Sequence, residues 1–470
     1  GILGAFALRA DAEVVRVTAR RADVGTAGYE KLVGTIHFAV DPADARNKVI
    51  VDLDKAPRNA RGLVEFSTPF FILKPAGLSR GNRKIYYTVN NRGNDALLNA
   101  RTRADVGQND FPLRSGYTIV DAGWEGDLVP DPRRLAAVLP IATQADGTPI
   151  VERMRIEYSD RNIPPDGTFT LNLEGSGAFK SYEAADTNTG RSLLTVRGTV
   201  RGLATAIAAD RWAFGRCPTG RDSLVPSNTD ICYFDRFDAR QLYELVYPAK
   251  NPIVMGLGHA TTRDVASFLR FELRDDAGNA NPLVADGRLD VRHVYATGAS
   301  QTGAYLRDFL YYGFNEDEAH RRVFDGIMPT IAGTLRVFIN ARFADPNVFG
   351  GQDVANNFLQ SSYPPFTYAV TLDPASGIRD GILKRPATDL KVFQIDSATE
   401  FWQLRASLNV ADAEGRPVPI PPNVRLYFES STGHGFTAGG LLTPPPGLMA
   451  RCENPTPSST SELMRALLVA

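Results

Sequence analysis

Apolar and polar residues alternate with a period of two through much of the first part of the chain. Val15, Val17 and Ala19 alternate with Arg16, Thr18 and Arg20, and Val49, Val51 and Leu53 alternate with mostly polar neighbours. That period puts successive side chains on opposite faces of an extended backbone, so both stretches read as strands. Val64 and Phe66 lead into Phe70-Phe71-Ile72-Leu73. Lys84-Ile85-Tyr86-Tyr87-Thr88-Val89 and Tyr117-Thr118-Ile119-Val120 continue the β pattern. Across residues 147–237 the alternation persists, in Met154, Ile156 and Tyr158, in Phe169, Leu171 and Leu173, and in Leu194 and Val196. Turn clusters such as Pro164-Pro165-Asp166-Gly167 separate these runs, and no helical period appears. From residue 238 strands and helices alternate. Residues 253–256 read as a strand or strand end, 262–273 as a helix, and 294–299, 324–330, 390–395 and 425–428 as strands. Tyr305, Leu306, Phe309 and Leu310 share one helical face, and Gly313 stops that helix. Residues 333–389 form a long irregular stretch rich in Phe, Tyr, Pro and Asn, the kind of segment that serves as a lid or binding loop.

Three parts follow from this pattern. Residues 1–146 are an N-terminal β region with the first part of an α/β core. Residues 147–237 are a β-rich insertion, and residues 238–470 are the second half of the core, with a lid at 333–389. The net charge of −1 over 470 residues leaves no basic footprint for nucleic acid and no polybasic patch for a membrane surface. No apolar run reaches the length of a membrane span. Gly256-Leu257-Gly258-His259-Ala260-Thr261 lacks the third glycine of a dinucleotide fingerprint. There is no P-loop, and no His or Cys pair has zinc-like spacing, so no cofactor and no metal are expected. Cys217 and Cys232 flank a short polar loop that suits a local disulfide, with free buried thiols as the alternative, and Cys452 is left over. Gly1-Ile2-Leu3-Gly4-Ala5-Phe6-Ala7-Leu8 before Ala10-Asp11-Ala12 reads as the tail of a signal peptide, as an expression remnant or as a simple β-structured start. A periplasmic or secreted protein is expected, with the cytoplasm as the other choice.

The segment that carries chemistry is Gly298-Ala299-Ser300-Gln301-Thr302-Gly303. A strand ends here, a helix begins, and a serine stands at the tip of the turn between them. This is the context of a nucleophile elbow, although Thr302 occupies the place where the second glycine usually stands. An ordinary serine N-cap would look similar. A serine nucleophile needs a base, and the base needs an orienting acid. Of the five histidines, His434 stands in a glycine loop directly after the last strand, and it follows the serine in chain order. His259 precedes the serine, and His37, His293 and His320 lie in strand-like or charged surroundings. Glu400 follows the strand ending at Ile395 and is the candidate acid, with Asp396 as runner-up. The backbone N–H of Gln301, with that of Arg92 or Gly93 in the turn after the strand at 84–89, would form an oxyanion hole. Phe343, Tyr363 and Phe366 are candidates for the wall of a substrate pocket.

These pieces resemble the α/β-hydrolase family of bacterial, often exported, serine esterases with a G-x-S-Q-x-G elbow. Asn91-Arg92-Gly93, Gly123-Trp124-Glu125-Gly126-Asp127, Arg263-Asp264 with Ser267-Phe268-Leu269-Arg270, and the elbow itself carry the likeness. Arg342-Phe343-Ala344, Pro365-Phe366-Thr367-Tyr368, Asp373-Pro374 and Gly433-His434-Gly435 continue it, in order, between about residues 84 and 436. The family often has Ser-Glu-Thr followed by Glu or Asp where this chain has Ser397-Ala398-Thr399-Glu400. The resemblance implies an α/β-hydrolase fold with a mostly parallel central sheet. It also implies ester hydrolysis through Ser300, Glu400 and His434. The aromatic lid points to a small-molecule ester, small or medium in size, with apolar or aromatic groups. An acyltransferase and a catalytically silent binding protein on the same scaffold are the rival readings.

Overall fold

The computed structural model describes residues 13–22, 28–94, 111–174, 179–199, 201–347, 364–430, 432–434 and 466–467. Among these, five strands lie before the insertion: β1 (Val14–Ala22), β2 (Tyr29–Val40), β3 (Val64–Pro75), β4 (Lys84–Thr88) and β5 (Thr118–Ala122). The insertion supplies β6 (Val151–Tyr158), β7 (Thr168–Asn172), β8 (Leu193–Arg197), β9 (Thr205–Ala206), β10 (Trp212–Arg216), β11 (Val225–Phe237) and β12 (Leu242–Lys250). After two short strands, β13 (Val284–Ala285) and β14 (Arg288–Leu289), come β15 (His293–Ala299) and β16 (Gly326–Thr330). A second short pair, β17 (Thr371–Leu372) and β18 (Arg379–Asp380), precedes β19 (Lys391–Ser397) and β20 (Val424–Glu429).

Nine of these strands form one sheet in the order β1-β2-β3-β5-β4-β15-β16-β19-β20. From β5 to β20 every neighbouring pair is parallel, while β1, β2 and β3 add an antiparallel wing. The sheet is therefore mostly parallel, as expected. Its central strands are apolar because both faces are covered: all of β5 and β16 is buried, as are Val294 and Ala296 of β15. The helices Leu257–Phe271 and Gln301–Tyr312 pack on it, and Gly313 closes the second at φ 87°. One apolar core draws on both flanks of the insertion, from Val14, Val64 and Tyr87 to Leu257, Tyr305 and Val392.

The insertion has a core of its own, centred on Ile156, Leu171, Trp212, Ile231 and Leu245. Two sheets build it, β6-β12-β8-β9 and β10-β11-β7. It runs past the expected limit at residue 237. A turn, closed by the Gln241 N–H on the Asp238 carbonyl (3.0 Å), sends the chain back as β12 between β6 and β8. Cys217 and Cys232 are joined in a disulfide with Cα atoms 5.7 Å apart. The strand expected around Val49, Val51 and Leu53 is not formed. Asp52 turns the backbone to φ 60°, and the Val51 N–H goes to the Asn340 side chain (2.9 Å) instead of a strand partner. Residues 253–256 make only one isolated bridge before the helix at Leu257. Of the expected lid, residues 348–363 lie outside the described residues. Among the described residues no helix is long and apolar enough to cross a membrane.

Candidate active site

Ser300 sits where β15 gives way to the helix Gln301–Tyr312, at φ 58° and ψ −116°. A non-glycine residue held there costs on the order of 1–3 kcal/mol and persists only where neighbours enforce it. Here they do. A Cβ on Gly298 would lie 2.4 Å from the Thr302 carbonyl oxygen, and one on Gly303 would lie 2.7 Å from that of Thr330. Both glycines are therefore needed for strand, turn and helix to approach this closely. Thr302, where the second glycine usually stands, is buried and turns its hydroxyl inward. The Ala299 N–H donates to it (3.0 Å), and it donates to the Ala299 carbonyl (3.2 Å). The hydroxyl fastens the turn that a glycine would merely permit.

His434 follows β20 and brings its ring to the serine, with Nε2 2.8 Å from Ser300 Oγ. Its Nδ1 lies 2.5 Å from Glu400 Oε1, and its backbone N–H donates to Thr399 Oγ1 (3.1 Å). These partners assign the proton to Nδ1 and leave Nε2 free to accept from the serine hydroxyl. Glu400 is fully buried in the first turn of the short helix Ala398–Gln403, which Ser397 caps. Its second oxygen, Oε2, accepts the Ser397 N–H (2.9 Å) and the Ser397 hydroxyl. A capping box thus pins one carboxylate oxygen while the other faces the imidazole. Burial pushes the Glu400 carboxyl up. The hydrogen bonds from His434 and from Ser397 outweigh it and hold the group below its usual value.

Asp396, the runner-up acid, turns away from His434. Its Oδ1 accepts the N–H groups of Ala332 (3.1 Å) and Gly333 (2.9 Å), and its Oδ2 accepts the Gln394 amide (2.6 Å). Burial lifts its carboxyl to about 6 despite these donors. The other histidines are elsewhere. His259 is fully buried between Tyr305 and Phe314, 3.6 Å from Asp308 Oδ2, and burial lowers its pKa. His37 meets Arg16, His293 lies near Asp325, and His320 pairs with Glu316.

Gln301 opens its helix, so its N–H has no acceptor within the helix. Arg92 and Gly93 form a turn between Asn91 and Asn94, with φ of 54° and 69°. A Cβ on Gly93 would fall 2.6 Å from Leu128 Cδ1. The Val89 N–H donates to the Thr297 carbonyl (2.9 Å), tying the start of this loop to the strand that carries Ser300. Phe343 sets its ring edge-on to Tyr182, centroids 5.1 Å apart, against the insertion. Phe366 lines a small recess with Pro364, Thr371, Ile378 and Val418, and its carbonyl accepts from Arg307 (2.5 Å). Neither ring is joined to the Ser300–His434–Glu400 chain in these contacts, and Tyr363 lies outside the described residues.

A pair of acids outside the expected site residues adjoins the elbow. Glu125 and Asp127, just after β5, are both buried. Burial and the neighbouring Asp127 charge drive the Glu125 carboxyl well up, and burial lifts Asp127 to about 6. The Asn347 amide joins them to the elbow. It donates to Asp127 Oδ2 (3.1 Å), and its oxygen accepts from the Gln301 side chain (3.1 Å). Two acids spaced by a glycine directly after a strand were the available signal. Among the described residues no group of three or more His, Cys, Asp or Glu is placed to hold a metal ion.

Among solved structures, acetyl xylan esterase 1 from Thermoanaerobacterium sp. JW/SL YS485 aligns over 91% of this chain and 86% of its own, at 9% identity and a TM-score of 0.35. Glucuronoyl esterase from Solibacter usitatus aligns over 89% and 84%, at 10% identity and a TM-score of 0.28. No curated protein sequence matches. The sequence profile of the alpha/beta hydrolase domain matches residues 209–466, a span that runs from inside the insertion through β15, β16, β19 and β20 and includes Ser300, Glu400 and His434. With that match covering more than half of its length, the chain belongs to the α/β-hydrolase family.

Proposed function

We propose that this hydrolase is a serine carboxylic ester hydrolase working through an acyl-enzyme. One observation carries the reading: the unbroken hydrogen-bonded chain from Ser300 Oγ through the His434 ring to Glu400. In this reading Ser300 Oγ attacks the ester carbonyl carbon while its proton passes to His434 Nε2. The N–H of Gln301 and those of the turn at Arg92 and Gly93 take the charge that develops on the carbonyl oxygen. Such donors are each worth about 2.7–4 kcal/mol in the transition state. The carbon–oxygen bond to the alcohol breaks, and the alcohol leaves with the proton from His434. Water then attacks the acyl-serine with His434 as base, and the acid departs as Ser300 regains its proton. Glu400, held ionised by its hydrogen bonds, keeps the imidazole in the working tautomer and balances its positive charge.

The substrate we propose is a small or medium ester with an apolar or aromatic group, in keeping with the aromatic content of residues 333–389. The Cys217–Cys232 disulfide supports an oxidising compartment, the periplasm or the exterior. Covalent labelling tests the central claim. A fluorophosphonate should label the protein once, at Ser300, and Ser300→Ala should abolish both labelling and turnover of aryl esters. Loss of a nucleophile that acts within such a unit costs on the order of a million-fold in turnover. An Ala variant that is folded and still turns over aryl esters would sink the reading.

A further inference from the structure

Ile331 has an unusual backbone. Its φ is 45°, and Gly333 two residues on stands at 58°. A β-branched residue in the left-handed region is a genuine outlier and survives only where its surroundings over-determine it. Here the enforcing group is Asp396, whose Oδ1 takes the next two N–H groups, those of Ala332 and Gly333. The Ile331 N–H itself donates to the Ile395 carbonyl (2.7 Å). At 333 only glycine fits, because a Cβ there would lie 2.3 Å from the Leu404 carbonyl oxygen.

This turn is the floor of the elbow. The Ser300 N–H donates to the Thr330 carbonyl (2.9 Å), and the Thr330 hydroxyl donates to the Gly298 carbonyl (3.1 Å). Gly303 packs on the same residues, since a Cβ there would meet Thr330 O at 2.7 Å and Ala332 Cβ at 3.0 Å. The carbonyl that fixes the amide of Ser300 therefore belongs to the residue directly before the strained one. Asp396 is in turn braced from the elbow helix. Gln394 donates to Asp396 and to the Gly333 carbonyl (2.7 Å), while its own oxygen accepts from Arg307 (2.8 Å) and the Tyr368 hydroxyl (2.6 Å).

We propose that Asp396 is a positioning residue for Ser300. It holds Ile331 in the left-handed conformation and so keeps the Thr330 carbonyl beneath the elbow. The inference rests on the reading of Ser300 as nucleophile. It gives the carboxylate near the end of β19 a task distinct from that of Glu400.

Asp396→Asn tests it. The amide keeps the size of the side chain, but one of its two heavy atoms no longer accepts. Either the turn or Gln394 then faces an NH2 group. Turnover and the rate of fluorophosphonate labelling should both fall on the order of a hundredfold, the scale of a small misplacement at a reacting centre, with KM nearly unmoved. Adding Ile331→Gly, which adopts this φ without strain, should restore about tenfold or more of the lost rate. Simple loss of packing would not be repaired by removing a second side chain. Labelling of Asp396→Asn at the wild-type rate would overturn the inference, as would a loss that Ile331→Gly leaves untouched. If Asp396→Asn does not fold, the double variant decides. A folded and reactive double variant supports the role, and an unfolded or unreactive one overturns it. Wild-type protein that fails to label would take down the nucleophile reading as well, whereas normal wild-type labelling separates the two failures.

Discussion

Replacing Glu400 by glutamine sets up a conflict that the geometry resolves in one direction. The carboxylate has two jobs: Oε2 accepts the fixed backbone N–H of Ser397 at 2.9 Å, and Oε1 faces His434 Nδ1 at 2.5 Å. An amide has only one acceptor oxygen. The Ser397 N–H cannot change its nature, so the amide oxygen must turn to Ser397 and the NH2 to His434. The imidazole then has to present a lone pair at Nδ1 and carry its proton on Nε2, aimed at Ser300 Oγ 2.8 Å away. In that tautomer it cannot accept the serine proton. Turnover should fall by about ten-thousandfold, close to 5.4 kcal/mol at 1.36 kcal/mol per tenfold, the scale for a triad carboxylate turned into its amide. The fold should hold, because glutamine also serves in a capping box and the change at the helix start is under about 1 kcal/mol. Steady-state hydrolysis of an aryl acetate, beside a thermal melt, reads both numbers. Turnover within tenfold of wild type in a folded Glu400→Gln protein would refute the orientation argument. So would a larger loss at Asp396→Asn.

The Cys217–Cys232 disulfide closes a loop of 15 residues inside the insertion, so reducing it or making Cys217→Ser with Cys232→Ser should cost about 3 kcal/mol. Calorimetry should show the melting temperature falling while turnover on aryl esters stays close to wild type. His259 is buried and neutral, with its pKa lowered, so below about pH 6.5 the unfolded chain binds a proton that the folded one refuses, and stability drops as pH falls. Asp127 and Asp396, raised to about 6, act with the opposite sign between there and their unfolded values. His259→Phe should therefore flatten the acid loss, as seen in urea melts at pH 7 and pH 5, and an unchanged pH slope would count against the assignment. Truncating Phe343 and Phe366 to Ala should raise KM for bulky esters more than for acetates. A uniform fall in turnover with KM unmoved would mean that these rings hold the segment together without touching substrate.

How much of this was legible depends on which forces were local. The elbow could be read because strand, Gly298, Ser300 and the apolar helix face all lie within one short segment. His434 could be read from its place after the last strand. The choice between Glu400 and Asp396 rested on a one-turn offset that the sequence states but does not explain. The capping box with Ser397 aims one carboxylate at the imidazole, and the turn at residues 330–333 claims the other. Where partners are distant, pattern failed. Val49, Val51 and Leu53 alternate like a strand, but Asn340, nearly three hundred residues on, takes the Val51 N–H. The turn at Asp238 looks the same in sequence whether the chain leaves a sheet or, as here, doubles back into it as β12. Glu125 and Asp127 lie in a stretch that carries the family likeness, but nothing nearby in sequence announces that both are buried.

The two apolar cores place the chain under an unequal schedule during synthesis. The insertion's own core is complete in sequence by Lys250, since among the described residues β6 to β12 pair only with one another. The nine-stranded sheet is completed later. β4, complete at Thr88, has β15 as its inner neighbour, which begins only at His293, and the far edge arrives with β20. For more than two hundred residues of elongation the apolar strand β4 has no partner on that side. Such non-local pairing is slow and leaves unpaired strand edges exposed. A nascent chain therefore carries the open edge of β4 through synthesis of the whole insertion, and over that interval this edge is exposed to wrong pairing.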